Sequence, residues 1–146
     1  KTKAMTGVAR GGYILSPQRG RQPMGILIAS GSEVALALQA QAKLATLGED
    51  VSVVSMPSME NFARQSTNYQ AQVLPPQIRR RVAVEMGATS GWERYVGLDG
   101  AVLGLDHFGA SGAADQVLAA NQFTVADLVR TYQQTHVDLG QQLRVI

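Results

Sequence analysis

The sequence contains no cysteine and only two histidines, His107 and His136. The absence of cysteine excludes disulfides, thiolate zinc sites, iron–sulfur clusters and cysteine nucleophiles, and it fits a reducing compartment. With two histidines, the chain cannot form a multi-histidine metal centre by itself. No apolar run approaches the roughly 20 residues of a membrane-spanning helix, and the first residues lack the apolar block of a signal peptide. We therefore expect a soluble, cytoplasmic protein with no membrane partner.

Charge is unevenly spread along the 146 residues. Residues 1–32 carry five cations and no acid, whereas the rest of the chain carries eight cations and eleven acids. The sequence pI of about 9.2 therefore reflects the N-terminal stretch. Arg79, Arg80 and Arg81 form the one dense basic run of the body, without the interleaved aromatics of a nucleic-acid surface. We expect no nucleic-acid partner and interpret the run as a solvated approach to a strand, or as a subunit contact.

Short apolar runs alternate with helical patterns. Runs typical of buried strands occur at 25–30, 51–56, 81–86 and 101–105. Helical patterns occur at 30–48, 57–64, 90–96, 115–120 and 124–139. Residues 65–77 are polar and are predicted to be irregular, until the apolar residues near the end of this segment. Thr124 and Asp127 have the spacing of a capping box. This alternation predicts parallel strands with helices on both faces of the sheet.

The N-terminal stretch differs from the body in composition. Residues 1–23 are rich in Gly, Gln, Arg and Thr and contain one short apolar stretch, Tyr13–Leu15. We interpret 1–23 as an interdomain linker that contains a short edge strand, and 24–146 as the folded domain. We also expect the chain to be a fragment of a longer protein, because it starts within this linker and without an initiating methionine.

The first candidate site follows the first predicted buried strand, where Gly31, Ser32 and Glu33 begin a helix. Free amides at a helix start bind phosphate or carboxylate groups, so an anion site is one hypothesis. Glu33 would repel an anion there. We therefore favour capping, with Ser32 as the N-cap or with Ser30 paired to Glu33 in a capping box.

The second candidate site is the loop HFGASG at 107–112. Its residues Gly109, Ser111 and Gly112 could form a nest of backbone amides that binds an anion. No lysine follows the glycines, so the loop is not a nucleoside-triphosphatase phosphate loop. A structural turn is the favoured interpretation, since two glycines in a loop are a weak signal.

Glu85, Trp92 and Glu93 lie near the carboxyl edge of the predicted sheet, where open α/β sheets bind ligands. We favour a core tryptophan beside a salt-bridged surface acid. His136 falls on the apolar stripe of the last predicted helix and is interpreted as a packed side chain. No G-x-S-x-G, H-E-x-x-H or G-x-G-x-x-G motif occurs, so residue patterns alone indicate an α/β domain without an evident catalytic set.

Seven segments follow one another between about Gly11 and about Gln133: ILIASGSEVALALQA, VSVVSMPSMENFARQ, VLPP, VAVEM, GWERYVGLDG, GLDHFGASG and FTVADLV. In this order they resemble the C-terminal domain of transketolases. One segment would be a weak signal, whereas seven collinear segments are highly specific. The resemblance implies a three-layer α/β/α domain with a mixed, mostly parallel five-stranded sheet, in which one edge strand is antiparallel.

The resemblance also implies a homodimeric thiamine-diphosphate enzyme of the pentose phosphate pathway. Such enzymes transfer a two-carbon ketol group from a ketose phosphate to an aldose phosphate. In that family, upstream domains hold the cofactor and its divalent metal, Mg or Ca, and the C-terminal domain supplies no established catalytic residue. No catalytic, cofactor-binding or metal-binding residue is therefore carried over to this chain, which we expect to bind no cofactor and to be inactive alone.

Three hypotheses for the role of the domain stay open. The favoured one is packing and assembly, in which Arg79–Arg81, Trp92 and the last helix contact the upstream domains and the dimer mate. The second is a regulatory module that binds a small anion or a nucleotide at one of the two candidate loops. The least favoured is nucleic-acid binding through the basic N-terminal stretch, whose charges more plausibly meet neighbouring enzyme domains.

Overall fold

The computed structural model describes residues 2–85, 91–104 and 124–135. The elements, in chain order, are α1 (Thr2–Ala9), β1 (Tyr13–Ser16), β2 (Gly25–Ala29), α2 (Glu33–Thr46), β3 (Val51–Ser55), α3 (Met59–Ala63), α4 (Thr67–Val73), β4 (Arg81–Glu85), α5 (Glu93–Val96), β5 (Ala101–Gly104) and α6 (Val125–Gln134). The helix predicted at 115–120 lies outside the described residues. No helix within the described ranges has the length and apolar character needed to cross a bilayer.

The five strands form one sheet in the order β1-β3-β2-β4-β5. Strand β2 pairs in parallel with β3 and with β4, and β4 pairs in parallel with β5. Strand β1 is antiparallel to β3 at one edge, with Tyr13 opposite Ser55. The predicted mixed, mostly parallel five-stranded sheet with one antiparallel edge strand is confirmed.

Helices cover both faces of the sheet because both faces are apolar. All five residues of β2 are buried. Successive side chains of a strand point to opposite faces, so Leu27 and Ala29 pack in the layer with α2 and α6, whereas Ile26 and Ile28 pack in the layer with α3, α4 and α5. This arrangement is the predicted three-layer α/β/α fold.

Helix α4 lies where the sequence predicted irregular structure, so that prediction is wrong. The hydroxyl of Ser66 accepts a hydrogen bond from the Tyr69 amide and caps the helix start. The helix contributes one buried residue, Val73, and Leu74 follows it into the same layer. Tyr69 also packs on this layer, with its ring edge-on to Phe62, so the cap and these apolar contacts together hold a helix whose other residues are mostly polar.

Helix α6 begins as predicted, because the Thr124 hydroxyl accepts from the Asp127 amide and the Asp127 carboxylate accepts from the Thr124 amide. The prediction that this helix continues to Leu139 is wrong, since it ends at Gln134. Both the hydroxyl and the amide of Thr135 donate to the Tyr132 carbonyl oxygen, which closes the last turn three residues back.

The predicted linker contains helix α1, which the sequence did not predict, and the predicted edge strand, β1. From Gly11 onward the linker packs on the domain. A Cβ at Gly11, whose φ is +87°, would overlap the backbone of Ser58 and Phe62, and the Tyr69 hydroxyl donates to the Gly12 carbonyl oxygen at 2.6 Å. The boundary between residues 23 and 24 stays a prediction.

Candidate functional site

The chain turns from β2 into α2 at Gly31, whose φ is +59°. The Glu33 amide donates to the Ser30 carbonyl oxygen at 3.2 Å, and the Val34 amide donates to the Gly31 carbonyl oxygen at 3.3 Å. Ser32 occupies the N-cap position, but its hydroxyl donates to the Glu33 carboxylate and makes no capping hydrogen bond. The predicted N-cap position of Ser32 is therefore confirmed, but its hydroxyl makes no cap because its backbone is helical (φ −67°, ψ −20°) instead of extended.

The carboxyl ends of β2 and β4 meet beyond this turn, since the two strands are parallel neighbours. The Ser30 hydroxyl donates to Oε1 of Glu85 at 3.3 Å across the strands, so the predicted capping box of Ser30 with Glu33 is wrong. Glu33 is only 7% exposed at the same edge. Two carboxylates at this edge disfavour a bound anion. Anion binding by Gly31, Ser32 and Glu33 stays a prediction.

Trp92 is 2% exposed and packs in the layer of α3, α4 and α5. The prediction of a core tryptophan is thus confirmed. Glu93 accepts a hydrogen bond from the Gly91 amide at 3.1 Å, in place of the predicted salt bridge. Because its ring is enclosed by its own domain, Trp92 cannot seat the domain on a neighbour as the sequence suggested.

Arg80 ties the start of β4 to the last described helix. Its guanidinium carbon lies 4.3 Å from the centroid of the Tyr132 ring, and its Nη1 donates to Oε1 of Glu49 at 3.2 Å. Burial raises the pKa of the Tyr132 phenol well above its usual range; the nearby charge of Arg80 opposes this rise and that of Glu49 adds to it. The cluster stabilises the fold and leaves Arg80 little freedom to contact a partner.

Arg81 is held by backbone carbonyl groups. Its Nε donates to Ile78 at 2.8 Å, its Nη1 to Tyr95 at 2.7 Å, and its Nη2 to Leu74 at 3.2 Å and Pro75 at 2.8 Å. No carboxylate in the described ranges forms an ion pair with Arg81. Burial lowers the pKa of its guanidinium. The interpretation of the basic run as solvated is therefore wrong for Arg81.

An open cavity of about 400 Å³ lies beside Arg81 at the amino edge of the sheet. The side chains of Arg79, Arg94 and Asp99 also line it. Arg79 donates from Nε to Oδ2 of Asp99 at 2.6 Å, and its Nη2 lies 2.5 Å from the same oxygen. Arg94 is exposed, and its guanidinium carbon lies 5.7 Å from the centroid of the Tyr95 ring. It forms no ion pair with a described residue. We call this feature the arginine cavity.

The remaining sequence candidates, Gly109, Ser111 and Gly112, lie outside the described residues, as do His107 and His136. Within the described ranges, no three side chains of His, Asp or Glu are grouped so that they could hold a metal ion. Of the predicted anion-binding residues, the described ranges contain only Gly31, Ser32 and Glu33.

Sequence reasoning missed the arginine cavity. It noticed the run Arg79–Arg81, but it assigned the whole run to the surface. The carbonyl groups that hold Arg81 come from the end of α4, from the segment between α4 and β4, and from α5, and α4 was not predicted. The sequence carries no signal that separates Arg81 from its two neighbours, since the three residues are identical and adjacent.

Comparison with known proteins gives one consistent family. A family profile described as the transketolase-like TK C-terminal domain matches residues 11–124. A transketolase from Bacillus subtilis is 48% identical over 127 residues, which are 87% of this chain and 19% of that protein. A probable transketolase from Streptococcus pneumoniae is 53% identical over 123 residues, which cover 84% of this chain and 18% of that protein. The chain thus spans about a fifth of the length of these curated relatives.

Solved structures agree with this result. The transketolase from Leishmania mexicana superposes with a TM-score of 0.74 at 35% identity, over 90% of this chain and 18% of that one. A transketolase from Pichia stipitis in complex with sedoheptulose 7-phosphate gives a TM-score of 0.73 at 33% identity, over 90% of this chain and 18% of that one.

Proposed function

The chain belongs to the transketolase family as its C-terminal domain, and from that premise we propose that it is the non-catalytic assembly domain of a ketol-transferring enzyme. The parent enzyme would move a two-carbon ketol group from a ketose phosphate to an aldose phosphate with thiamine diphosphate. It would act as a cytoplasmic homodimer in the pentose phosphate pathway. The observation that carries the proposal is the family match across residues 11–124.

The substrates of the parent enzyme follow from its relatives. Structures of the Pichia stipitis transketolase are described as complexes with sedoheptulose 7-phosphate, xylulose 5-phosphate and fructose 6-phosphate. All three are ketose phosphates, the donor class that the ketol transfer requires. We extend this substrate class to the enzyme that contains the present chain.

The described residues do not fit the cofactor's metal. A divalent ion bound to a diphosphate needs oxygen ligands in a compact group, and no group of three acids or histidines occurs in the described ranges. The arginine cavity has three arginines and one aspartate in its wall, and such a wall repels a cation. We therefore assign thiamine diphosphate and its metal to the upstream domains, and no catalytic step to this chain.

The assembly role is inferred from the small share of its relatives' length that the chain covers. The chain is a folded three-layer unit that makes up 19% of the Bacillus subtilis relative. Arg80, Arg81 and Trp92 are occupied inside this unit, so contacts with other parts of the enzyme must use other groups. Five exposed large apolar side chains are available for this purpose on its described surface: Val8, Ile14, Met24, Leu47 and Leu98.

A chimeric enzyme tests the proposal. The chain from Gly11 onward replaces the matching segment of the Bacillus subtilis transketolase, and the upstream part of that enzyme without any C-terminal domain is the matched control. We expect the chimera to form a dimer in light scattering and to transfer ketol groups in a coupled assay. We expect the 146-residue chain alone to fold and to show no turnover.

Two outcomes would contradict the proposal. Turnover by the purified chain alone would refute the non-catalytic assignment. A chimera that is folded but no more dimeric or active than the control lacking the domain would refute the assembly role.

A further inference from the structure

The arginine cavity is a positively charged recess that the proposed assembly role does not use. Three guanidinium groups, those of Arg79, Arg81 and Arg94, face one carboxylate, that of Asp99. Asp99 compensates Arg79, with which it forms the ion pair. Arg81 and Arg94 have no carboxylate partner among the described residues. Two uncompensated charges thus line one cavity.

Arg81 is fixed in position, so its positive charge stays at the cavity, unlike the charge of a mobile surface side chain. Four of its N–H groups donate to carbonyl oxygens, and a guanidinium has five. The side chain is therefore held in place with one N–H group left for a ligand. Arg94 is exposed and retains its donors, and Arg79 retains those of Nη1. Donors from three separate chain positions can converge on one anion.

Most of the rest of the cavity wall is apolar, with Thr67 and Gln70 as its uncharged polar residues. It includes Phe62, Leu74, Ile78 and the ring of Tyr95. With a volume of about 400 Å³, the cavity exceeds the space that a single phosphate ion needs, and it lies in the size range of small-molecule sites. A ligand that matches both parts of the wall has an anionic end and a compact apolar body.

We propose that the arginine cavity binds a small phosphomonoester, with the phosphate at the guanidinium groups of Arg79, Arg81 and Arg94 and the organic group against the apolar wall. A phosphate dianion suits this wall because it matches the two uncompensated charges and accepts several N–H bonds at once. The site lies at the amino edge of the sheet. It is therefore separate from Gly31, Ser32 and Glu33 at the carboxyl edge, where two acids lie.

Phenyl phosphate is a suitable probe, and phenol is its neutral counterpart. We expect phenyl phosphate to shift the backbone amide signals of residues 74, 77–81 and 94–99 in ¹⁵N–¹H spectra of the chain, and phenol at the same concentration to leave them unchanged. Inorganic phosphate should bind the same residues several-fold more weakly, because it lacks the apolar body. Binding should weaken as salt is raised at constant pH.

Two substitutions change the charge in opposite directions without removing the structural Arg81. Arg94→Gln should weaken phenyl phosphate binding by about 3- to 10-fold. Asp99→Asn should tighten it by about 2- to 5-fold, because Arg79 is then released to the ligand. Arg21→Gln removes the same charge from an exposed arginine that does not line the cavity, and it should leave binding unchanged.

The proposal is overturned if phenyl phosphate shifts no amide signal, or if the shifts fall at residues 30–34 instead. Equal weakening by Arg94→Gln and Arg21→Gln would also overturn it, because that result would reflect net charge alone. Equal affinity for inorganic phosphate and phenyl phosphate would refute the apolar part of the site. Thermal unfolding of each variant shows that the comparison is made between folded proteins.

Discussion

The guanidinium of Arg80 stacks on the ring of Tyr132, and both side chains reach Glu49, three residues beyond the end of α2. The three residues come from the start of β4, from α6 and from the turn that follows α2. The Tyr132 side chain is fully buried, and its hydroxyl lies against Gly25 at the start of β2. One contact group thus fixes α6 to the amino edge of the sheet.

Gly25→Ala should destabilise the chain. A Cβ at this position would overlap the hydroxyl and ring of Tyr132, which cannot move away because Arg80 and Glu49 enclose it. We expect a loss of about 1–3 kcal/mol in the free energy of unfolding, measured with urea. Gly20→Ala is the control, since its Cβ would meet only Oδ2 of Asp50 at 3.2 Å. Equal losses for the two variants would contradict the steric explanation.

Tyr132 should make the chain less stable at high pH. Burial raises the pKa of its phenol in the folded state above the ordinary value of 10.0. The stabilisation from the raised pKa is complete below the unfolded pKa and is lost as the pH rises above it. We therefore expect the unfolding free energy of the wild type to fall more steeply above about pH 10 than that of Tyr132→Phe. Parallel pH profiles would contradict this prediction.

Arg81→Gln should cost about 2–3 kcal/mol of stability, because carbonyl groups of Leu74, Pro75, Ile78 and Tyr95 lose a charged donor. Arg79→Gln removes the same charge from an arginine whose side chain is 45% exposed and should cost less than about 1 kcal/mol. Urea unfolding of the two variants gives the comparison. A smaller loss for Arg81→Gln than for Arg79→Gln would show that the carbonyl contacts contribute little.

Thr124→Ala should destabilise α6 by about 1 kcal/mol, since the helix start loses its N-cap acceptor. Thr124→Ser keeps a hydroxyl at the same position and should retain most of the stability. Chemical unfolding of the chain measures both. If the serine variant is as unstable as the alanine variant, packing of the threonine methyl group, rather than the cap, stabilises the helix start.

Asp127 should contribute stability that disappears in acid. Burial alone would raise the pKa of its carboxyl group, but hydrogen bonds with Thr124 and Arg130 outweigh this and hold the pKa below its ordinary value of 3.8. A lowered folded pKa stabilises the fold above the unfolded pKa, and this gain is lost as the pH falls through the folded value. The stability difference between the wild type and Asp127→Asn should therefore shrink below about pH 4. A difference that is constant with pH would contradict the prediction.

The sheet could be predicted because its central strands are buried on both faces. Such strands are continuous apolar runs, and the runs of β2, β3 and β4 are read directly from the sequence. The capping box of α6 was equally local, since Thr124 and Asp127 carry the whole signal. Features that depend on four neighbouring residues need no knowledge of the tertiary structure.

The arginine cavity could not be predicted in this way. The three adjacent arginines are chemically identical and yet have different partners. Arg79 pairs with Asp99, Arg80 stacks on Tyr132, and Arg81 donates to backbone carbonyl groups in the layer of α4 and α5. Some of these partners are distant in the sequence: Asp99 lies 20 residues from Arg79, Tyr132 lies 52 residues from Arg80, and Tyr95 lies 14 residues from Arg81. Similarly, Ser32 is the N-cap residue that the pattern predicted, but its helical backbone angles, which the pattern does not reveal, keep its hydroxyl from capping α2.

The strand order has a consequence for how the chain is made. Strand β2 pairs with β3 on one side and with β4 on the other, and both partners follow it in the chain. During synthesis, the five apolar residues of Gly25–Ala29 leave the ribosome with neither neighbour available, and the second arrives only when Glu85 has been added. Until then this segment is exposed to aggregation or to chaperones. A stall in translation before β4 is complete should therefore leave a chain that binds chaperones through β2.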